Sequence, residues 1–339
     1  MATMADIAER AGVALSTVSY VLSGKRSVSE ETKQRVFRAI AELDYQPNAL
    51  ARGLASRRTR TIGLVFPSLT KGHSEMRMEF VARAAEVAAE HGYAFLLWTA
   101  PDSDLELLQL TQQGRVDGLI LMEIRLHDSR VDLLKERKYP FTMIGRCQDN
   151  DGISFVDLDF EHAVATAVAH LAELGHRQIV LLNHSAELLE VGYGPSVRSL
   201  QGFERAVGQH GIAGVAVTSE PSAQSGYAVT QALLAQHPDL SAAIVPQETA
   251  LVGMIRALND AGLRVPDDFS IVTLLSARQA ELVTPALTSV DFPADEMGRI
   301  GAELLIQQLE GQIDRPIQRL LRANLTVRHS SGAYYARSR

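Results

Sequence analysis

Side chains able to act as nucleophiles, general bases or metal ligands are present, but their spacing assembles none of the usual catalytic constellations. Cys147 is the only cysteine, so an intrachain disulfide and a cysteine-based zinc site are both excluded. No base stands near it in sequence to activate the thiol, and it reads as structural. The ten histidines do not fall at metal-ligand intervals. His162 and His170 share a helical stretch but stand two turns apart, which suits solvated or capping roles better than ligation. There is no glycine-rich dinucleotide loop after the first strand, no phosphate-binding P-loop, no G-x-S-x-G elbow and no H-E-x-x-H helix. The expectation is a chain that is not an enzyme and uses no cofactor and no metal. The chemistry on offer is recognition. Near the N-terminus Ser16, Thr17 and Tyr20 share the polar face of a short apolar-backed run, and a group of arginines follows at Arg52, Arg57, Arg58 and Arg60.

The elements that must present those groups can be read locally. Thr3 with Asp6 forms a helix N-cap with a capping-box partner. Asp6 to Ala11 keeps its apolar residues on one face, and Gly12 supplies a tight turn. Val18, Val21 and Leu22 then recur at helical spacing before Ser23-Gly24. Ser29 caps a third helix with Val36, Ala39, Ile40 and Leu43 as its core stripe. Helix, glycine turn and a short helix with a polar outer face make a helix-turn-helix pattern. Pro47 stops the third helix and Asn48 can cap a fourth of about two turns, too short to be stable alone in water. Charge agrees with contact to a polyanion. Residues 1–60 hold ten basic and six acidic residues, a net of +4, which leaves −11 for the rest of a chain whose total is −7.

Three separated segments of this head, Asp6-Ile7-Ala8-Glu9-Arg10-Ala11-Gly12-Val13, Ser16-Thr17-Val18-Ser19 and Pro47-Asn48-Ala49-Leu50-Ala51-Arg52-Gly53-Leu54, resemble the head of the lactose-repressor (LacI/GalR) family. The resemblance implies that the second helix enters the DNA major groove and that the hinge helix pairs with its dimer mate in the minor groove. It places Leu15, Ser16 and Tyr20 at base-reading positions and Leu54 at the central wedge. With backbone contacts included, the expected DNA-binding set is Thr3, Leu15, Ser16, Thr17, Ser19, Tyr20, Asn48, Arg52, Leu54, Ala55 and Arg57. Two departures stand out. Ala14 replaces the family's usual Ser, which weakens a cap on the second helix. Tyr20 replaces a common Arg or His, which removes a bidentate guanine contact.

From residue 60 onward, β-rich runs alternate with helical ones. Strands are expected over 61–66, 93–98, 117–122, 178–183, 214–218, 241–245 and 268–274, with helices over 75–91, 105–113, 161–174, 197–210, 224–236 and 249–262. Such alternation predicts parallel sheets covered on both faces, and two series predict two lobes with a ligand cleft at the carboxyl ends of the strands. Asp117-Gly118-Leu119-Ile120-Leu121, Leu174-Gly175-His176-Arg177 and Gly262-Leu263-Arg264-Val265-Pro266-Asp267-Asp268 resemble the family's sensor domain, whose fold is that of type I periplasmic binding proteins. The fold class expected is α/β: an all-α helix-turn-helix head over 1–47, a hinge helix and linker over 48–59, and a doubly wound two-lobed effector domain over 60–339. The first lobe would take about 60–160 and 292–323, the second about 161–291 and 324–339.

The resemblance is altered where it implies an effector pocket. Sugar-binding members usually carry an Arg three residues before the glycine matching Gly202, where this chain has Ser199 with Arg198 one step away. They carry Asn-Asp where it has Gln247-Glu248, and Gly-Phe-Asp where it has Thr273-Leu274-Leu275, so a fixed hydroxyl acceptor is missing. The candidate effector residues are Arg146, Arg198, Ser199, Gln247, Glu248 and Leu275. Tyr193 and Tyr227 suit core or rim positions, or stacking on a ligand.

The function implied is a sequence-specific transcription regulator, a repressor that binds palindromic double-stranded operator DNA as a homodimer under control of a sugar or related metabolite. The tail, Ser330 to Arg339, has no leucine heptad for a tetramer. No stretch of 18 apolar residues and no signal-peptide core are present, so a cytoplasmic protein with no membrane partner is expected. The alternatives are a transporter's solute-binding protein, which would have no use for residues 1–60, and a sugar-modifying enzyme, which would need paired carboxylates or a cofactor motif.

Overall fold

Thr3 starts the first helix, α1 (Met4–Ala11), by a reciprocal cap. Its hydroxyl accepts from the Asp6 amide at 3.3 Å, and the Asp6 carboxylate accepts from the Thr3 amide at 2.7 Å. That backbone hydrogen bond holds the Asp6 carboxyl below the usual range. Gly12, at φ +63°, ends the helix in a left-handed conformation that a side chain would disfavour. Next come α2 (Leu15–Ser23) and α3 (Glu30–Glu42), the latter capped by the Ser29 hydroxyl. The computed structural model describes residues 2–23, 26–44, 58–66, 75–99 and 104–334. The chain divides into two units, Met1–Thr59 and Arg60–Arg339. The first has its own core of Ile7, Ala8, Ala11, Val18, Val36 and Ala39, with Val21, Ile40 and Leu43 half-buried around it. The expected side-chain role of Leu22 lies outside the described residues, as do all of 45–57.

In the second unit, β1 (Thr61–Val65), β2 (Ala94–Trp98), β3 (Gly118–Leu121), β4 (Phe141–Ile144) and β5 (Phe155–Leu158) join β11 (Gln318–Leu321) in one sheet, in the order β11-β5-β4-β3-β1-β2. A second sheet holds β6 (Gln178–Asn183), β7 (Ala213–Thr218), β8 (Ala242–Val245), β9 (Ser270–Thr273), β10 (Thr288–Val290) and β12 (Leu325–Thr326), in the order β12-β10-β9-β8-β6-β7. All pairings are parallel except β10 with β12. β3, β4, β5, β8 and β9 are buried along their whole length, as helices on both faces require. The chain passes between the sheets three times: after β5, between β10 and β11, and between β11 and β12. The strands β4, β5, β10, β11 and β12 are additions to the sequence expectation; β10 and β12, at three and two residues, are too short for periodicity to register.

The helices that matter to the cleft are α4 (Glu75–Glu90), α5 (Asp104–Gln112), α6 (Ser129–Glu136), α7 (Phe160–Glu173), α8 (Ala186–Glu190) and α9 (Gly194–His210). α9 begins three residues before the expected 197 because Pro195 sits in its first turn, where its fixed φ and missing N–H are tolerated. After it come α10 (Ala223–Gln236), α11 (Glu248–Asp260), α12 (Ala277–Glu281) and α13 (Ala294–Leu309). α10 and α11 approach backbone to backbone through glycine. A Cβ at Gly226 would collide with the Ala250 carbonyl, and one at Gly253 with that of Ala223.

His176 pins the tail to the second sheet. Its Nδ1 lies 2.8 Å from the Ser241 hydroxyl, and its Nε2 lies 3.0 Å from the Ser270 hydroxyl and 3.2 Å from the Gly332 carbonyl. Burial lowers its pKa to about 4. The folded domain therefore holds a neutral ring that the unfolded chain protonates below about 6.5. Its contribution is complete above that pH and is lost as the pH falls towards 4, amounting to about 2 kcal/mol at pH 5. Urea unfolding at pH 7.5 and pH 5 should show the wild type losing about 2 kcal/mol more than His176→Gln. Equal losses would remove His176 from the acid response.

Candidate functional site

In the head, α2 carries the expected DNA-facing residues on its outer side. Leu15 is 53 % exposed and Ser16 is exposed, while Thr17, Ser19 and Tyr20 are half-buried. An exposed leucine at the start of a helix gains nothing from folding, but it can meet a thymine methyl in a major groove. The Arg26 guanidinium lies 5.2 Å from the centre of the Tyr20 ring, which brings a cation to the same face. Thr3 is exposed with its hydroxyl committed to the α1 cap. Asn48, Arg52, Leu54, Ala55 and Arg57 lie outside the described residues.

The second unit has a cavity of about 630 Å³ between its lobes. The walls are built where the topology predicts. Glu123, Gly145, Ser185, Glu220, Pro246 and Leu274 all line it, and each lies within two residues of the carboxyl end of a strand, β3, β4, β6, β7, β8 and β9 respectively. Met76 and Phe80 of α4, Phe160 and Phe292 supply an apolar side. The Phe292 ring contacts both Phe80 and Phe160, with centroids 5.7 and 5.8 Å apart.

Of the six candidate effector residues, Gln247 and Glu248 are on the wall, at the start of α11. The Glu248 carboxylate accepts from Gln279 Nε2 at 2.9 Å. Arg146, Arg198, Ser199 and Leu275 are not on the wall. Leu275 is buried in the second lobe's core, and the Ser199 hydroxyl is buried in α9. Arg146 and Arg198 instead flank a residue that sequence reading missed, Asp157 of β5. Arg146 Nε is 3.3 Å and Arg198 Nη1 3.9 Å from Asp157 Oδ2. Arg198 also donates from Nη2 to the Cys147 carbonyl at 3.0 Å, so this second-lobe side chain reaches the first lobe. Asp157 Oδ1 accepts from the Leu158 amide, and Asp157 itself lines the cavity. Burial pushes its carboxyl up to about 7 against the pull of Arg198 and Arg146.

Other wall residues were also absent from the candidate set. Arg77 pairs with Glu123 at 2.7 Å. His184 stacks edge-on against Tyr193, centroids 5.5 Å apart, and burial with Arg77 nearby lowers its pKa to about 4, so the ring is neutral. Burial pushes the Tyr193 hydroxyl up, and it stays protonated. Tyr227 is elsewhere, donating to Asp260 at 2.9 Å. Burial raises the Cys147 thiol to about 12, which makes it unreactive. Among the described residues no three His, Cys, Asp or Glu side chains are grouped to hold a metal, and no helix is long and apolar enough to cross a membrane.

A three-helix head with an exposed polar recognition helix, on a chain whose larger unit encloses a ligand-sized cleft between two α/β lobes, defines a ligand-responsive DNA-binding regulator. Comparison with known proteins agrees. Residues 3–48 match the bacterial regulatory proteins of the lacI family, and residues 168–331 match a periplasmic binding protein-like domain. The HTH-type transcriptional regulator AglR of Rhizobium meliloti (strain 1021) is 32% identical over 337 residues, covering 96% of this chain and 93% of the relative. The crystal structure of the Lac repressor dimer bound to operator and the anti-inducer ONPF superposes with a TM-score of 0.84 at 27% identity, covering 98% of this chain and 99% of the other. A transcriptional regulator CelR–cellobiose complex gives 0.72 at 29% identity, covering 98% and 100%. The chain belongs to the LacI family of bacterial regulatory proteins and is a DNA-binding transcription regulator with a periplasmic-binding-protein-like sensor domain. Its relatives are transcription regulators rather than enzymes.

Proposed function

We propose that the chain is a repressor: a homodimer that binds a palindromic operator through its two heads and changes operator affinity when a sugar-like metabolite occupies the interlobe cleft. The observation that carries this is a cavity walled by both lobes, with buried polar atoms on its wall that have no hydrogen-bond partner among the described residues, in a chain that also has a DNA-binding head. The Lac repressor structure is of a dimer on its operator, and the CelR structure is of a cellobiose complex, which supports the same arrangement here. A ligand touching both lobes binds one lobe arrangement better than another, and only that difference can shift DNA affinity. We assign Leu15, Ser16 and Tyr20 to base edges, Thr3, Thr17, Ser19, Asn48, Arg52, Ala55 and Arg57 to the DNA backbone and groove walls, and Leu54 to the central base step. The reading places the protein in the cytoplasm with its DNA and gives it no catalytic step.

Removal of residues 1–59 tests the division of labour, and it should abolish operator binding while leaving ligand binding intact. In the full chain, operator affinity should fall at least about 100-fold between 50 and 200 mM salt, as counterions return to the phosphates. Arg52→Ala and Arg57→Ala should weaken all DNA sequences alike and reduce the salt slope by about one each. A change of base preference at unchanged overall affinity would contradict the assignment to phosphate contacts.

A further inference from the structure

A second cavity, of about 410 Å³, opens in the first lobe away from the interlobe cleft. Its wall is drawn from the ends of α6 and α13 and from residues at or just ahead of the starts of β4, β5 and β11. It therefore sits at the amino ends of the strands, whereas the cleft lies at their carboxyl ends. We propose that this cavity binds a small organic dianion, a phosphate monoester or a dicarboxylate carried on an apolar body. The proposal is independent of the reading of the cleft.

Lys135, Lys138 and Arg315 line this cavity, and Asp314 is the only carboxylate among its wall residues. The wall thus has two net positive charges in a stretch, 61–339, whose net charge is −11. Neither Lys138 nor Arg315 has an ion pair among the described residues. Lys135 Nζ donates to the Asp151 carbonyl at 2.9 Å, which fixes the ammonium in place and leaves it two further protons to donate. Ser154, 6 % exposed, is on the wall too. Its Oγ accepts from the Ile317 amide at 3.1 Å and gives its own proton to none of the described residues. Three cations and a buried hydroxyl are all donors, so an occupant must bring acceptors and negative charge. Lys138 follows α6 at φ +51°, in the left-handed region that favours glycine. A lysine there costs backbone strain that the turn itself does not need, and such strain gathers at binding positions. The wall also includes the buried side chains of Leu134, Phe141 and Ile153. A bare ion would leave that apolar surface uncovered, and an apolar body on the anion covers it.

The test is calorimetry on the full-length protein with phenyl phosphate, phthalate, inorganic phosphate and benzyl alcohol, at about pH 7.5, where a phosphate monoester is largely dianionic, and about 150 mM salt. Phenyl phosphate or phthalate should bind with a Kd below about 1 mM. Inorganic phosphate and benzyl alcohol each offer half of the match and should bind at least about tenfold more weakly. Binding by either dianion supports the site, and the tighter of the two names the headgroup. Lys138→Gly removes a cation and relaxes the backbone, so it should melt no lower than wild type while weakening that dianion about fivefold or more. Arg315→Gln should weaken it similarly. Arg137→Gln removes a cation from the same end of α6 but off the wall, and should leave affinity within about twofold. Failure of both dianions to bind, inorganic phosphate binding as tightly as phenyl phosphate, or equal losses in Arg137→Gln and Lys138→Gly would overturn the proposal. Lowered operator affinity in Lys138→Gly, with neither dianion bound by the wild type, would overturn it in favour of a DNA contact.

Discussion

Replacing Arg198 by alanine is expected to cost the sensor domain about 3–5 kcal/mol, because it removes one partner from a buried charge group and leaves the others in place. Arg198 is 4 % exposed, and the carboxylate it faces is 2 % exposed. Without Arg198, Asp157 keeps the Leu158 amide and, as its one cationic partner among the described residues, Arg146 at 3.3 Å, and the Cys147 carbonyl loses its donor from the second lobe. The carboxyl, already pushed up to about 7 by burial, then rises further. A buried acid with a raised pKa favours the folded state while protonated, and that advantage disappears as the pH rises through its folded value. The cost of Arg198→Ala should therefore be larger at pH 8 than at pH 6. Urea unfolding followed in the sensor domain at both pH values measures it. Arg198→Lys should recover part of the loss, since a single ammonium cannot reach both Asp157 and the Cys147 carbonyl as the planar fork does. A loss under about 1 kcal/mol at pH 8 would mean that Asp157 is adequately solvated without Arg198.

This outcome differs from what Arg198 suggests as a residue in a sequence, and the difference shows what was legible. The alternation of β runs and helical patterns is a local signal, as are the cap at Thr3, the turn at Gly12 and the core stripe of α3, so the fold class and the head could be read. Gln247 and Glu248 were reached through the family resemblance, and they stand two and three residues beyond β8, where the carboxyl ends of parallel strands bind ligands in such folds. Asp157 was not reached. It occupies a four-residue strand, Phe155-Val156-Asp157-Leu158, whose apolar run the carboxylate itself interrupts, and its partners arrive from the loop after β4 and from α9. One signal was available. A lone carboxylate inside an apolar run is rarely left buried without a partner, and it marks a position where charge must be met by tertiary contact. Arg146 and Arg198 were recognisable as charged residues near the cleft. Whether a guanidinium points at the ligand or at another side chain depends on contacts between lobes, which no local pattern encodes.

The head offers the cleanest separation of the two functions, and Val18→Asp is expected to abolish operator binding. Val18 is fully buried in the head's core, which among the described residues has six buried members. A unit of this size has a net stability of a few kcal/mol, because so small a core buries little apolar surface against the entropy of ordering the chain. An unpaired carboxylate in that core costs several kcal/mol on top of the lost apolar contact, which exceeds what the unit has. The head should then be unfolded, with α2 no longer able to present Ser16 and Tyr20 together. The sensor unit, Arg60–Arg339, has separate cores and should keep its own melting transition and its ligand affinity. Leu15→Ala is the companion measurement. At 53 % exposure Leu15 contributes little to the fold, so its truncation should leave head melting within about 0.5 kcal/mol while weakening specific operator binding by roughly tenfold. Circular dichroism of the isolated transitions, with operator titrations of both variants, reads out each arm. Operator affinity for Val18→Asp within tenfold of wild type would remove the three-helix head from DNA recognition. An operator affinity unchanged by Leu15→Ala would take the start of α2 away from the bases.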